Sequence, residues 1–304
     1  MKPLGYVNLP AHRGAGGFDH AAVHHARGLL YVAHTANHAV DVIDTRTQRY
    51  LRSLGDLAGV AGALVDETHD RVFTSNRGED TIAIVAPEAE DRRARVGVGV
   101  RPNGLAFDSG RGVLLSANVG NAEVPGSHTV TLVDVATRTR LADVLVPGRT
   151  RWTVFDPVRR VFFVNIAEPA LIVVVEPERH AVTARYPMPE RGPHGLDLDA
   201  ARRRLYCACD GGILLAVDAD SGAVLESLAL SGAPDVIFLD RGLGRLHVAS
   251  GDPGAIDVID VATWRVVETV TTERGAHTLA LDEQAHRVYA FLPGTHRAAV
   301  FEDA

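Results

Sequence analysis

The chain has few of the residues that mark secreted, membrane-spanning or disulfide-stabilised proteins. Cys207 and Cys209 are its only cysteines, and two positions separated by one residue on a strand lie about 6–7 Å apart, at or beyond the limit for a disulfide. Two thiols in 304 residues suit a reducing compartment. No run of about 18 apolar residues occurs, and no apolar segment follows Lys2. We therefore expect a soluble cytoplasmic protein with neither a membrane span nor a signal peptide.

Basic residues do not outnumber acidic residues, and this balance argues against a nucleic-acid partner. The 31 Lys and Arg residues stand against 38 Asp and Glu residues, which gives a formal net charge of −7. Such a chain has no overall positive surface for phosphate backbones. Aromatic residues are also scarce, whereas 29 glycines and 15 prolines spread along the sequence indicate many turns. This composition favours an all-β protein, which we expect to be a monomer that contacts neither nucleic acid nor membrane.

One phrase recurs seven times and is the strongest signal in the sequence. Each copy has an apolar run, a short polar turn and a second run rich in Val, Leu, Tyr and Phe, as in GPHGLDLDAARRRLYCAC. This pattern is typical of a β-hairpin, and two further apolar runs follow it. The copies align on one column at spacings of 42, 42, 48, 43, 41 and 42 residues, namely His24, Asp66, Asp108, Asp156, Asp199, Asp240 and Asp282. The period predicts a seven-bladed β-propeller of four-stranded antiparallel blades, in which these aspartates cap turns.

Two of the repeats carry a family resemblance. The segments LLYVAHTANHAVDVIDTRTQRYLRSL and RLHVASGDPGAIDVIDVATWRVVETV resemble the YVTN-type repeats of bacterial seven-bladed β-propellers. The resemblance extends over essentially the whole chain and implies a single propeller domain at residues 1–304. Proteins with such repeats include ligand binders, lactonase-like hydrolases and lyases, so the resemblance implies a fold more than a function. Because the last repeat lacks its fourth strand, we predict that residues 4–9 pair into that blade and close the ring.

The strand ends at one mouth of the central channel carry the candidate functional residues. The start of the first strand of a blade lies beside the end of the second, because the two strands are antiparallel. Five residues before the aligned column stand Asp19, Ala61, Asn103, Arg151, His194, Asp235 and His277. Ten residues after it stand His34, Asn76, Asn118, Ile166, Cys209, Ser250 and Leu292. We expect His194 and Cys209 to face each other across one hairpin at this mouth.

Histidines and aspartates concentrate on four consecutive blades of this ring. Imidazole nitrogens and carboxylate oxygens bind divalent cations, so the sequence predicts a site for Zn, Mn, Ca or Mg. Its candidate ligands are His194, His277, Asp19, Asp235, His34 and His20. His194 and His277 are also the candidate catalytic residues, which move a proton. The candidate substrate-binding residues are the anion anchor Arg151 together with Asn103, Asn118 and Trp152.

Two functions stay open on the sequence alone. The first is the binding of a small polar or anionic molecule, with metal-assisted hydrolysis or elimination of a lactone or ester as the chemistry. The second is a non-catalytic scaffold that binds other proteins, in which the ring residues are only hydrated.

Repeat three has a longer loop than the other repeats. From the Asn118 position to the aspartate of TLVDV it spans 16 residues, whereas five other repeats span 10 over the same interval. The extra loop, VGNAEVPGSH, lies at the same mouth and is predicted to cover it.

Overall fold

The seven repeats form seven four-stranded antiparallel sheets, and this confirms the predicted propeller. The computed structural model of the chain describes residues 1–89 and 93–303. From the channel outward, the strands of the first three blades are β2 (Ala21–His24), β3 (Leu29–His34), β4 (Ala39–Asp44) and β5 (Arg49–Leu54) in blade 1; β6 (Val60–Asp66), β7 (Arg71–Asn76), β8 (Thr81–Val85) and β9 (Ala94–Gly97) in blade 2; and β10 (Pro102–Asp108), β11 (Val113–Asn118), β12 (Thr129–Asp134) and β13 (Thr139–Leu145) in blade 3. Blades 4 and 5 contain, in the same order, β14 (Thr150–Asp156), β15 (Val161–Ile166), β16 (Leu171–Glu176) and β17 (Ala181–Pro187), and β18 (Pro193–Asp199), β19 (Arg204–Cys209), β20 (Ile213–Asp218) and β21 (Val224–Ala229). Blade 6 contains β22 (Ala233–Asp240), β23 (Arg245–Asp252), β24 (Ala255–Asp260) and β25 (Arg265–Thr271), and blade 7 contains β26 (Thr278–Asp282), β27 (Arg287–Leu292), β28 (Arg297–Glu302) and β1 (Lys2–Asn8). The one helix of the described residues is a short 3-10 turn, Thr35–Asn37.

The N-terminal strand closes the ring, as the missing last strand predicts. β1 pairs antiparallel with β28, from Lys2 opposite Glu302 to Asn8 opposite Arg297. The strand begins two residues earlier than predicted. Leu9 lies just beyond the strand and still donates a backbone hydrogen bond to the carbonyl of His296 at 2.9 Å. Closure therefore gives blade 7 four strands like the other blades, and β28 is paired on both sides.

The aspartates of the aligned column cap the first hairpin turns, as predicted. Asp199 accepts a hydrogen bond from the backbone N–H of Arg202 at 2.9 Å, and Asp108 accepts one from Arg111 at 3.1 Å. The guanidinium groups of the same two arginines also contact these carboxylates at 2.9 Å. The column is structural because each carboxylate satisfies turn N–H groups that have no strand partner.

Apolar side chains between neighbouring blades form the core. Between blades 4 and 5, Phe163, Val174 and Leu196 pack with both cysteines. The Sγ atoms of Cys207 and Cys209 lie 4.0 Å apart as free thiols, and both residues are fully buried. The adjacent Cys209 thiol and the burial together raise the pKa of Cys207. The two cysteines therefore act as small apolar residues of the core.

Candidate functional site

Residues of the predicted ring reach one mouth because the innermost strands bulge there. In blade 5, Pro193 pairs with Cys209 and Gly195 pairs with Ala208, which leaves His194 without an opposite residue. Similar register breaks occur in four other inner strands, at Ala61, Asn103, Arg151 and Asp235. A bulge turns a side chain away from the ordinary alternation of a strand. Pseudo-symmetry then brings these side chains to one level of the channel.

His194 lies between two carboxylates at this mouth. Its Nδ1 is 2.7 Å from Oδ1 of Asp210, and its Nε2 is 3.0 Å from Oδ1 of Asp235. Asp210 follows β19 directly and lies one residue beyond the predicted ring positions. The predicted partner, Cys209, instead points into the core between blades. Successive side chains of a strand alternate in direction, so the residue after Cys209 is the one that faces the mouth.

The carboxylates set the charge of His194. Burial opposes its protonation, but the charge of Asp235 and hydrogen bonds to Asp210 and Asp235 outweigh burial and raise the pKa of His194 to about 9. Burial would raise the pKa of both aspartates, yet the neighbouring imidazolium holds the pKa of Asp210 and of Asp235 below the usual value. At neutral pH the three groups are therefore a cation held by two anions.

His277 approaches the same carboxylate from blade 7. Its Nδ1 donates a hydrogen bond to the carbonyl of Gly275 at 2.8 Å, and its Nε2 faces Oδ2 of Asp235 at 3.9 Å. The side chain is about one third exposed. Because Nδ1 carries the hydrogen, Nε2 is the nitrogen that reaches the mouth and that can accept a proton.

Arginine side chains occupy the facing arc of the mouth. Nη1 of Arg151 lies 3.1 Å from Nε2 of His194, and Nη2 lies 3.4 Å from Oδ2 of Asp210. Arg77, which follows β7, contacts Asp19 at 3.1 Å and donates to the side-chain oxygen of Asn103. The predicted residues Asp19, Asn103 and Arg151 therefore meet at this mouth. Arg77 was missed because it lies one residue beyond the strand ends that the repeat columns sample.

Two further arginines lie at the rim of this mouth. Within the described ranges, the guanidinium groups of Arg101 and Arg149 have neither a hydrogen bond nor an ion pair. Both residues are exposed. Burial of part of the side chain and the charges of Arg151, Arg101 and Arg77 lower the pKa of Arg149, with Asp210 opposing them. This arc of the mouth therefore carries positive charge that nearby carboxylates do not neutralise.

His34 and Asn118 do not join the ring, and this corrects the predicted second ring. Nδ1 of His34 bonds Oδ2 of Asp41 at 2.7 Å inside blade 1. Asn118 donates to the hydroxyls of Thr129 and Thr131 at 3.0 and 2.9 Å inside blade 3. Both residues are fully buried. The last residue of a second strand points between blades, because no bulge reorients it.

The predicted metal site stays a prediction. Among residues 1–89 and 93–303, no group of three or more His, Cys, Asp or Glu side chains has an arrangement that holds a metal ion. Both nitrogens of His194 already contact carboxylates, and the 3.9 Å between His277 and Asp235 is longer than a hydrogen bond.

The loop after Asn118 is held by its own contacts, such as the hydrogen bond of Asn121 with Ser127 at 2.9 Å. Its predicted function as a cover is likewise untested.

His20 and Trp152 meet across the channel, one residue deeper than the ring. Their ring centroids lie 4.0 Å apart, although the residues belong to blades 1 and 4. Burial lowers the pKa of His20 and keeps the imidazole neutral, although Asp19 and Asp235 oppose this effect. Neighbouring inner strands are also close at this level, since a Cβ on Gly62 or Gly195 would lie 2.5 or 2.4 Å from a backbone oxygen of the next blade. These contacts separate the polar mouth from the channel below.

Comparisons with known proteins support the fold alone. No family model matches the sequence, and no curated protein matches it. Among solved structures, a chain of "Kuenenia stuttgartiensis Hydrazine Synthase" aligns with a TM-score of 0.84 at 12% identity, covering 100% of this chain and 97% of that one. The protein is thus a seven-bladed β-propeller, while membership of the YVTN-type family stays a prediction. In the described part of the chain, no helix has the length and apolar character needed to cross a bilayer.

Proposed function

We propose that the propeller binds a small anionic molecule, such as a carboxylate or phosphate compound, at the mouth formed by the inner-strand bulges. The observation that carries this proposal is the pair Arg101 and Arg149, whose guanidinium groups have no partner among residues 1–89 and 93–303, beside Arg77 and Arg151. Guanidinium groups bind carboxylate and phosphate oxygens in a bidentate manner. A ligand of this class would neutralise the arginine arc and reach His194 across the mouth.

The opposite arc supports acid–base chemistry on such a ligand. His194 is a proton donor at neutral pH because Asp210 and Asp235 stabilise its cation. Nε2 of His277 is oriented towards the mouth by the Gly275 carbonyl and is the candidate proton acceptor. An acid and a base on one side, with an anion anchor on the other, suit hydrolysis or elimination of a lactone or ester. Arg151, which touches His194, would hold the developing oxyanion or a substrate carboxylate.

The alternative is a protein-binding scaffold. Some outer strands expose apolar side chains, including Leu145 on β13 and Val267 on β25. These residues lie on blades 3 and 6 and do not form one continuous apolar surface. The arginine arc is the more specific feature, so ligand binding is the preferred function.

Calorimetric titration with citrate and with inorganic phosphate tests the binding proposal. We expect Arg149→Ala to weaken binding at least tenfold, because it removes a guanidinium that no residue in the described part of the chain binds. Arg185→Ala is the matched control, since Arg185 is an exposed arginine on the outer strand β17. Equal binding by both variants, or no binding of either anion by the unaltered protein, would contradict the proposal. For turnover of a lactone panel, His194→Gln and His277→Gln should each abolish activity while anion binding persists.

A further inference from the structure

A cavity fills the central channel on the far side of His20 and Trp152. Its volume is about 540 Å³, within the range of roughly 300–1,000 Å³ that is usual for small-molecule sites. Residues from the innermost strands of all seven blades line it. The ring residues Asp19, Arg151, His194, Asp235 and His277 are not among its lining residues. The cavity is therefore separate from the polar mouth and opens towards the opposite end of the channel.

Aromatic rings form much of the cavity wall. Trp152, Phe107, Phe155 and Phe238 line it, and Trp152 meets Phe238 edge to face with centroids 6.0 Å apart. Small and aliphatic side chains such as Ala22 fill the remainder. A wall of this kind favours an apolar body, and aromatic faces also attract a positive charge.

The charged residues that line the cavity are acidic. Its acidic lining residues are Asp66, Glu67 and Asp197, whereas neither Lys nor Arg contributes to the lining. Asp66 is held by His69 at 2.9 Å. Asp197 accepts hydrogen bonds from the N–H groups of Leu198 and Leu239, and the guanidinium of Arg241 lies 3.2 Å from it. These two carboxylates are therefore committed to turn and strand contacts.

Glu67 is the carboxylate best placed to meet a ligand. Its Oε1 accepts hydrogen bonds from the backbone N–H and from Nδ1 of His25, both at 2.6 Å. Its Oε2 has no partner among residues 1–89 and 93–303. Glu67 is also an exposed residue at the open end of the cavity. The closed end is formed by the neutral His20, so it presents no positive charge to a ligand.

We propose that this cavity is a second ligand site, which binds an organic cation with an aromatic or aliphatic body. The aromatic wall holds the body, and the free oxygen of Glu67 meets the cationic group at the open end. The two ends of the channel thus select ligands of opposite charge, with the guanidinium groups of Arg101 and Arg149 beside one site and the free oxygen of Glu67 beside the other. This site does not depend on the function proposed for the mouth.

Three probes of matched shape test the proposal by calorimetric titration at pH 7. They are 4-phenylbutylammonium, 4-phenylbutanol and 4-phenylbutyrate, which share a phenyl ring on a four-carbon chain and differ in charge. We expect the ammonium to bind at least tenfold more tightly than the alcohol and the butyrate. A Trp264→Phe background leaves Trp152 as the only tryptophan, so a change in its fluorescence places the ligand beside this wall.

Variants of the lining locate the site. Ala22→Trp fills the cavity from blade 1 and should abolish binding of the ammonium, whereas Glu67→Gln should reduce the preference for the ammonium over the alcohol at least fivefold. Melting and circular dichroism check that each variant folds, and Glu67→Gln provides an independent test if Ala22→Trp does not. Arg149→Ala, at the other mouth, should leave ammonium binding unchanged. The proposal is overturned if no probe binds, if the butyrate binds as tightly as the ammonium in a way that Ala22→Trp abolishes, or if folded Ala22→Trp still binds the ammonium.

Discussion

Replacing His194 by glutamine should remove a pH-dependent part of the folding free energy. The pKa of His194 rises from the ordinary value of 6.5 to about 9 in the folded protein. At roughly 1.4 kcal/mol per pH unit this corresponds to about 3 kcal/mol. Because the folded state binds the proton more tightly, this stability is fully present below pH 6.5 and is lost as the pH rises through 9. The glutamine side chain can still donate to Asp210, but it carries no charge.

Urea unfolding of both proteins at intervals between pH 6 and pH 10 measures this contribution. We expect the unaltered protein to be more stable than His194→Gln by about 3 kcal/mol at pH 6 and the gap to narrow towards pH 10. Carbon-13 NMR of the histidine Cε1 provides a direct titration, in which the signal missing from His194→Gln should have a midpoint near 9. Asp210→Asn should lower that midpoint, because it removes one of the two stabilising carboxylates. A gap that stays constant across this pH range would refute the reasoning.

Two further predictions concern the closure and the inner strands. Deleting residues 1–8 should lower the melting temperature far more than deleting loop residues 122–125, because only the first change leaves β28 without its partner; equal melting temperatures would contradict this. Gly195→Ala should cost about 1–3 kcal/mol in denaturant unfolding, since its Cβ would lie 2.4 Å from the backbone oxygen of Asp235. Gly97→Ala, with open space around the added methyl, should have little effect, and a similar loss in both variants would argue against close packing of the inner strands.

The repeat made the fold predictable because each copy carries the same alternation and the same turn. The missing last strand predicted the closure. The ring of positions five residues before the aligned column, here the first column, predicted His194, Asp235 and His277 at one level of the channel. The prediction for the second column, ten residues after the aligned column, was wrong for His34 and Asn118. Strand alternation, which the spacing alone does not reveal, directs both side chains into the blades. Asp210, Arg77, Arg101 and Arg149 lie in loops outside both columns. Strand alternation accounts for Asp210 and Arg77, which directly follow β19 and β7, whereas only the three-dimensional course of their loops brings Arg101 and Arg149 to the mouth.

The separation of β1 from its partner in the sequence also constrains how the chain is made. About 290 residues lie between the end of β1 and the start of β28, and a ribosome adding roughly 5–20 residues per second needs about 15–60 s to synthesise them. During that interval β1 has emerged from the ribosome but its partner does not yet exist. Blades 1 to 6 contain only neighbouring segments and can assemble in order, whereas blade 7 requires β1 to remain available until β28 has been synthesised. Premature pairing of β1 with another strand edge is therefore the assembly error to which this architecture is most exposed.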